Sequence, residues 1–191
     1  VFKNDHSNLS DEELMDRSAQ GDTSAFSELY DRYAGKITRY FVRMLWNDQE
    51  KARDLTQDLF TKIIKRPELY RKGNKFSTWI YSIASNMCKN EYRHHEVVQK
   101  HSLGIKEMYG GGKGVSNPSL DLKDFKLSLD DELGKLEYNQ RSTFIMRYKQ
   151  GLSIKEIAEV MDCSEGTVKS RIFYTLKKLA KELHHFDPKK Q

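Results

Sequence analysis

Cysteine and long apolar runs are scarce in this sequence of 191 residues, and each shortage excludes a class of protein. The two cysteines, Cys88 and Cys163, show no spacing typical of a disulfide framework. No run of about 18 apolar residues occurs, so the sequence predicts no transmembrane helix. Residues 1–11 are polar and lack the apolar centre of a signal peptide. We therefore expect a protein of the reducing cytoplasm that does not insert into a membrane.

Motifs for catalysis and for cofactor binding are missing as well. The glycine run at residues 110–114 lacks the spacing before a Lys-Ser/Thr pair that a phosphate-binding loop requires. The histidines near Cys88 are spaced too loosely for a zinc site, and no nucleophile is paired with a base. The sequence therefore predicts no enzyme, no metal and no cofactor.

The composition favours thin helical bundles over one thick core. Hydrophobic residues make up 37% of the chain and charged residues 32%, which leaves much of the surface polar. The net charge of +5 permits an anionic partner, either nucleic acid or an acidic membrane, without requiring one.

Apolar residues recur with helical spacing in the first half of the chain, and no hairpin signal appears. Ser10 and Glu13 form a capping-box pattern that opens a short helix. Asp22 can cap the next helix, which is long. We expect this long helix to bury one apolar side, made of Phe26, Leu29, Tyr30, Tyr33, Ile37, Tyr40, Phe41, Met44 and Leu45.

Two further helices are predicted before the pattern breaks. The third covers about residues 48–66 and ends before Pro67, because the residue preceding a proline disfavours helical backbone. Its expected buried stripe is Ala52, Leu55, Leu59 and Ile63. The fourth helix is predicted to begin at a Ser77 cap and to end near His95, with an inner face of Trp79, Ile80, Ile83, Ala84 and Met87.

Residues 97–124 lack helical periodicity, and their glycine run followed by Asn117-Pro118 is typical of a flexible linker. Such a linker spans about 30 Å as a relaxed coil and at most about 95 Å. It can therefore hold two DNA-reading modules more than one helical turn, about 34 Å, apart. We predict an all-α chain of two small helical domains, residues 1–96 and 125–191, joined by the linker.

The C-terminal domain carries the pattern of a helix-turn-helix. Ser153 and Glu156 form a second capping box. A three-residue break then ends at Ser164, which can cap the last helix. Gly151 is expected as a left-handed cap residue. The predicted helices cover about residues 127–136, 139–150, 154–161 and 165–183.

The last helix combines an apolar stripe with a basic face. We expect its stripe, Val168, Ile172, Leu176 and Leu179, to be buried. A basic face alone is usually solvated surface, but the caps, the short helix and the turn occur together here and favour DNA binding. The candidate contacts to duplex DNA are Ser164, Thr167, Lys169, Ser170, Arg171, Tyr174 and Lys178.

The third helix carries Glu50, Asp54 and Asp58 at four-residue spacing on one face. Like charges at this spacing each cost a few tenths of a kcal/mol. Arg53 and Lys62 could offset part of that cost, so a solvated face remains one interpretation. The other interpretation is a docking strip for a basic protein surface, since such a strip repels DNA.

A basic field follows directly, with six basic residues and a single acid, Glu68, between residues 62 and 75. The fourth helix then offers amide and basic side chains on its outer face. Asparagines and a flexible loop near aromatic residues suit single-stranded bases, which are splayed and read on their edges. The candidate residues are Arg71, Lys72, Asn74, Lys75, Asn86, Lys89, Asn90 and Arg93.

Three segments resemble the bacterial sigma factors of the extracytoplasmic-function (ECF) group, and the resemblance covers nearly the whole chain. Residues 54–60 (DLTQDLF) are similar to the polymerase-docking helix of that family. Residues 76–86 (FSTWIYSIASN) are similar to its segment for opening and reading the −10 element. Residues 147–171, with GTVKSR at their end, are similar to its −35 domain and form the most specific match.

The resemblance implies a transcription initiation factor with no catalysis of its own. It would bind core RNA polymerase at the β′ clamp helices through Asp54, Gln57 and Asp58, and its C-terminal domain would contact the β flap. Promoter melting would use residues 70–77 with the outer face of the fourth helix. An anti-sigma factor is a further expected partner. The alternative is a DNA-binding regulator that dimerises on a palindrome without polymerase.

Overall fold

The computed structural model describes residues 6–101 and 122–186. Within those residues the regular structure consists of α-helices and short 3₁₀ turns, and there is no β-strand. The all-α prediction is therefore confirmed. The helices are α1 (Asp11–Ala19), α2 (Thr23–Met44), α3 (Gln49–Lys65), α4 (Phe76–His101), α5 (Leu122–Gly134), α6 (Tyr138–Tyr148), α7 (Ile154–Val160) and α8 (Glu165–Glu182). Two short 3₁₀ turns cover Pro67–Leu69 and His184–Phe186.

The first two helices begin at caps that the sequence predicts. Ser10 and Glu13 form the complete capping box of α1. The carboxylate of Asp22 accepts the backbone N–H groups of Ser24 at 2.9 Å and Ala25 at 3.1 Å. These bonds satisfy N–H groups that have no partner inside the first turn of a helix. Local sequence therefore determines where these helices start.

The start of α4 differs from the prediction, because Ser77 lies inside the helix and is not its cap. The helix begins at Phe76, whose backbone N–H donates to Glu12 Oε1 of α1 at 2.9 Å. A cap supplied from 64 residues away leaves no local signal. At its other end α4 continues to His101, past the expected end near His95.

Helices α1 to α4 enclose a core whose largest fully buried side chains include Leu14, Ile37, Phe41, Leu59 and Ile80. The predicted stripes of α2, α3 and α4 supply this core, with Trp79, Ile83 and Met87 packed half-buried at its edge. One prediction is wrong: Tyr30 is 41% exposed and lies edge-on against Phe60, with ring centroids 4.8 Å apart.

Helices α6, α7 and α8 form the predicted helix-turn-helix unit. Gly151 has φ +75°, as a left-handed cap residue requires, and Leu152 N–H then donates to the Met146 carbonyl at 3.0 Å. The prediction for the apolar stripe of α8 is wrong at one position: Leu176 is 42% exposed, and the neighbouring Thr175 is fully buried instead. The inward-facing residues are Val168, Ile172, Thr175 and Leu179, at spacings of four, three and four residues. These spacings stay on one side of a helix, so Leu176 faces outward.

The expected linker overlaps helix at both ends, because α4 reaches His101 and α5 begins at Leu122. The glycine run at residues 110–114 lies outside the described residues. In the part of the chain that the structure describes, no helix is long and apolar enough to cross a bilayer.

The two halves of the chain pack on one another and share a hydrophobic core. Helix α7 lies against α4, and α6 lies against α2 and α4. Ile145, Met146 and Ile157 are fully buried in the same cluster as Tyr40 and Ile80. A second, smaller cluster under α5 contains Leu133, Leu136, Phe144 and Leu179. The C-terminal unit therefore covers part of α4 in this structure.

We expect Glu12→Ala to lower the free energy of unfolding by about 1 kcal/mol, because it leaves the Phe76 N–H without its cap. Glu12→Gln keeps a carbonyl acceptor in the same place and should lose less than half as much. Urea denaturation followed by circular dichroism measures both variants. Equal stability of the alanine and glutamine variants would show that the cap contributes nothing.

Candidate nucleic-acid interface

An acidic strip runs along the outer side of α3 and consists of Glu50, Asp54 and Asp58, with Gln57 beside them. All four side chains are exposed, and the opposite side of the helix is buried in the core. None of the ion pairs within residues 6–101 and 122–186 involves the acidic strip. Arg53, expected to offset its charge, donates to Gln49 Oε1 at 3.4 Å instead. The strip therefore presents uncompensated negative charge to solvent.

A basic loop, residues 70–75, follows the Pro67–Leu69 turn and leads into α4. Its base is the buried Tyr70, whose hydroxyl donates to the Asn74 carbonyl, and Asn74 N–H donates to the Arg71 carbonyl at 3.1 Å. Gly73 has φ +93°, a conformation that side-chain-bearing residues rarely adopt. Residues 70–75 therefore form a closed turn with exposed polar side chains.

Two cations of this loop are paired with carboxylates of other elements. Lys72 Nζ lies 2.6 Å from Asp16 of α1, and Lys75 contacts Glu156 at the start of α7. Arg71 and Asn74 are exposed beside them. The basic loop therefore combines side chains open to an anionic partner with side chains already bound within the chain.

The outer face of α4 carries four exposed candidate residues: Asn86, Lys89, Asn90 and Arg93. They begin one turn beyond Ser82 and continue along the helix from the basic loop. A neighbouring face of α4 contacts the C-terminal unit through Tyr81 and Ser85. All eight candidate residues for single-stranded DNA are therefore exposed, four in the basic loop and four on this outer face of α4, which we call the asparagine face.

The recognition helix α8 begins at Ser164, whose hydroxyl accepts the Thr167 N–H at 3.1 Å. Lys169, Ser170, Tyr174 and Lys178 are exposed along it. Arg171 is half-buried, and its Nη1 donates to Cys163 Sγ in the turn at 3.5 Å. The exposed Phe173, next to Tyr174, was not among the predicted contacts, because an apolar residue on a helix carries no signal for DNA binding.

Sequence reasoning missed the contacts that join the two halves, which we call the domain interface. Tyr40 and Ser142 share a hydrogen bond at 3.0 Å, Tyr81 donates to Gln150 Oε1 at 2.7 Å, and Tyr138 donates to the Ser85 carbonyl at 2.7 Å. Tyrosine spacing on a helix is equally typical of a core within one domain, so no pattern distinguished these residues.

Burial keeps the hydroxyls of the domain interface protonated. Loss of solvent raises the pKa of Tyr138 to about 12, and it raises the pKa values of Tyr40 and Tyr81 above their ordinary range. Burial alone would also raise the pKa of Glu156, but hydrogen bonds from Lys75 and Ser153 outweigh it and lower that pKa to about 2. Glu156 is therefore ionised when it faces Lys75.

Exposed basic and amide side chains beside a helix-turn-helix are the arrangement of a nucleic-acid-binding protein. Within residues 6–101 and 122–186 no three His, Cys, Asp or Glu side chains are grouped so that they could hold a metal ion. The fold and the surfaces define a helix-turn-helix DNA-binding protein with an additional exposed acidic strip.

Comparison with known proteins identifies the family. The family pattern described as Sigma-70 region 2 matches residues 29–97, and the pattern described as Sigma-70, region 4 matches residues 126–179. The ECF RNA polymerase sigma-E factor of Haemophilus influenzae is 33% identical over 181 residues, which cover 86% of this chain and 90% of that protein. The sigma-E factor of Escherichia coli is 31% identical over 179 residues, with the same coverage of 86% and 90%.

Two solved structures share the fold of this chain. The sigma factor RpoE of Bartonella quintana, solved with the anti-sigma factor NepR, has a TM-score of 0.67 and 23% identity over 83% of this chain and 96% of that one. CnrH, solved with the cytosolic domain of CnrY, has a TM-score of 0.69 and 22% identity over 91% of this chain and 97% of that one.

The chain belongs to the ECF RNA polymerase sigma factors. It is a transcription initiation factor that binds core RNA polymerase and directs it to promoters. Region 2 serves recognition of the −10 element, and region 4 serves recognition of the −35 element.

We expect Glu156→Gln to destabilise the chain at pH 7 by about 0.5 kcal/mol, because the exposed Lys75 loses its charged partner. Glutamine at this position still completes the capping box with Ser153. The pKa of Glu156 is lowered from 4.5 to about 2, so its ionised form stabilises the fold above pH 4.5 and loses this effect as pH falls. The difference between wild type and variant in urea unfolding should shrink from pH 7 to pH 3. A difference that stays constant with pH contradicts the assignment.

Proposed function

We propose that this sigma factor divides promoter recognition between residues 1–96, which dock on polymerase and read the −10 element, and residues 125–191, which read the −35 element. The observation that carries the proposal is the segregation of charge within the first domain. The acidic strip of α3 is exposed and unpaired, whereas the basic loop and the asparagine face lie on α4 and the segment before it. One side therefore suits a basic protein surface and the other suits nucleic acid.

Asp54, Gln57 and Asp58 form the polymerase-binding site in this proposal, and the β′ clamp helices are the partner. The three side chains share an exposed face on a rigid helix whose other side is locked in the core. A preformed strip of this kind binds without first ordering its backbone, which reduces the entropic cost of association. Its negative charge also steers it away from DNA and towards basic protein.

Unpaired bases of the −10 element are read by Arg71, Lys72, Asn74, Lys75, Asn86, Lys89, Asn90 and Arg93. The two asparagines of α4 lie one helical turn apart, and each offers a donor and an acceptor to a base edge. The basic loop supplies cations for the adjacent phosphates. Free energy for melting then comes from trapping unpaired bases, and no nucleotide hydrolysis is involved.

Duplex DNA of the −35 element is read by the recognition helix through Ser164, Thr167, Lys169, Ser170, Arg171, Tyr174 and Lys178. The exposed N-terminal half of α8 fits the major groove, where Arg reads guanine and Lys and Thr hold phosphates. Arg171 must leave its contact with Cys163 to reach a base, and that contact is a weak one to sulfur.

Further partners in this proposal are the β flap, which contacts the C-terminal domain, and an anti-sigma factor. Support for the latter comes from the two structural relatives, one solved with the anti-sigma factor NepR and the other with the cytosolic domain of CnrY. The factor acts in the cytoplasm as a specificity subunit, and catalysis belongs to the polymerase.

The docking assignment predicts that Asp54→Ala combined with Asp58→Ala weakens binding to core polymerase by on the order of 10-fold or more. The matched control is Asp31→Ala combined with Glu159→Ala, which removes the same charge from exposed positions elsewhere. Fluorescence anisotropy of labelled protein titrated with core polymerase measures both. Wild-type affinity in the first variant, or equal losses in both, would overturn the assignment.

The −35 assignment predicts different consequences for two basic residues of α8. Arg171→Ala should cost about 10-fold on the cognate duplex and relax specificity at one base pair. Lys178→Ala should weaken binding to all duplexes uniformly and flatten the salt dependence. Run-off transcription with core polymerase on a library of −35 sequences measures both patterns. Uniform loss in both variants would assign Arg171 to the phosphates.

A further inference from the structure

The basic loop lies beside an acidic helix, α1, which the proposed function does not use. Helix α1 contains four acids and one base, and it packs against both the Pro67–Leu69 turn and α4. Its Leu14 and Met15 are fully buried, so the helix is fixed to the core of the N-terminal bundle. Negative charge is therefore held next to the loop that we propose binds DNA phosphates.

Two carboxylates of α1 contact the two ends of the basic loop. Glu12 accepts the Phe76 N–H at 2.9 Å, and an oxygen of Asp16 lies 2.6 Å from Lys72 Nζ. These two acids are four residues apart, so they lie on one face of the helix and repel each other. Each is matched by a group of opposite polarity on or next to the loop. This face of α1 is therefore fitted to the basic loop.

Tyr70, at the base of the loop, lies near the same two acids. Burial raises the pKa of its hydroxyl, and the negative charges of Glu12 and Asp16 raise this pKa further. The Tyr70 ring packs edge-on against Phe76 and Trp79, with ring centroids 6.1 Å and 5.1 Å away. The base of the loop is therefore fixed, and Lys72 is carried on a rigid turn above α1.

Helix α1 is also anchored at its other end. Arg32 of α2 donates to Asp11 Oδ1 at 2.8 Å and to the Leu9 carbonyl at 2.9 Å, and the Tyr33 hydroxyl donates to Asp11 Oδ2. Asp11 is thereby matched inside the bundle, whereas Asp16 faces a lysine that is open to solvent. Of these two acids, Asp16 is the one that an anionic ligand of the basic loop would meet.

The Asp16–Lys72 pair is accessible from the side of the lysine, since Lys72 is 84% exposed and Asp16 only 31%. An ammonium group has three N–H donors, so a phosphate oxygen can approach Lys72 while Asp16 still contacts it. A phosphate and a carboxylate on the same ammonium are then about 5 Å apart and repel each other. Asp16 and a DNA phosphate therefore compete for one cation.

Arg71, the neighbour of Lys72, is not opposed in this way. Its side chain is exposed, and none of the ion pairs within residues 6–101 and 122–186 includes it. The same loop thus carries one cation that meets a phosphate directly and one that must first give up a carboxylate. This contrast provides an internal comparison for an experiment.

We propose that Asp16 is a positioning residue of the −10 surface: it holds Lys72 in the free protein and opposes phosphate contact there, which limits sequence-independent binding of unpaired DNA. The ligand is the phosphodiester backbone of a single strand, and base edges are left to the asparagine face. This inference rests on the proposed function for the assignment of Lys72 to DNA phosphates. The Asp16–Lys72 pair itself is a property of the free chain.

The central variant is Asp16→Asn, which keeps the shape of the side chain and removes its charge. Fluorescence anisotropy measures binding of a labelled oligothymidylate to holoenzyme assembled from core polymerase and the full chain, with core polymerase alone as the blank. The variant should bind about 5-fold more tightly at low salt, because Lys72 no longer exchanges a carboxylate for a phosphate. The slope of log affinity against log salt should steepen by up to about 0.7. Damage to the fold would lower the affinity, so a gain separates this role from a structural one.

Two comparisons separate a local exchange from a general effect of charge. Asp31→Asn removes one negative charge from an exposed position on α2 and should change the affinity by less than about 2-fold. In a Lys72→Gln background, Asp16→Asn should likewise have less than about a 2-fold effect. In an Arg71→Gln background the gain of about 5-fold should remain, because Arg71 is not the partner of Asp16.

A zero-length carbodiimide cross-link reports the pair directly. It should join Lys72 to Asp16 in the free chain, as detected by mass spectrometry, and Asp16→Asn is the blank for this reaction. Saturating oligothymidylate should lower the yield of the link in holoenzyme by at least about 2-fold, because bound phosphate favours the state in which the pair is broken.

Unchanged affinity in Asp16→Asn, a gain that persists in the Lys72→Gln background, or absence of the Lys72–Asp16 link would each overturn the role of Asp16 and leave the proposed function standing. A Lys72→Gln variant that binds oligothymidylate as tightly as wild type would instead overturn the proposed assignment of Lys72 to phosphates, and the role of Asp16 with it.

Discussion

The packing of α4 on two sides governs the rest of this molecule. One side of the helix buries Ile80 and Ala84 against the N-terminal bundle, and a second side presents Tyr81 and Ser85 to α6 and α7. Only the remaining face, with Asn86 and Asn90, is left for solvent. Because an α-helix has 3.6 residues per turn, the exposed residues proposed to read bases and the residues that contact the C-terminal unit occupy adjacent faces of α4. The C-terminal unit therefore packs directly beside the asparagine face.

Charges of opposite sign are exposed on different parts of the N-terminal helices: acidic residues on α3, and basic residues in the loop before α4 and along α4. The acidic strip on α3 has no described partner within the chain, whereas two lysines of the basic loop are paired with Asp16 and Glu156. Exposed ion pairs are weak and easily exchanged. In the proposed function, phosphate oxygens would replace these carboxylates, whereas the acidic strip would bind a basic protein surface without such an exchange.

The domain interface combines contacts that stabilise it with one that is poorly compensated. Its apolar residues and tyrosine hydroxyls favour closure, while Arg141, buried over Trp46 without a carboxylate, favours separation. A contact balanced in this way can be broken by a partner that binds the open form more tightly, because a ligand shifts an equilibrium by its differential affinity for the two states.

The sequence by itself determined the helices, their local caps and the identity of the family. Ser10, Asp22, Ser153 and Ser164 all cap as predicted, because capping acts over three residues and leaves a local pattern. Only the tertiary structure decided the start of α4, the closure of the basic loop at Tyr70 and the exchange of Thr175 for Leu176 in the core. It alone also decided that the halves pack together, since a tyrosine that faces another domain has the same helical spacing as one that faces its own.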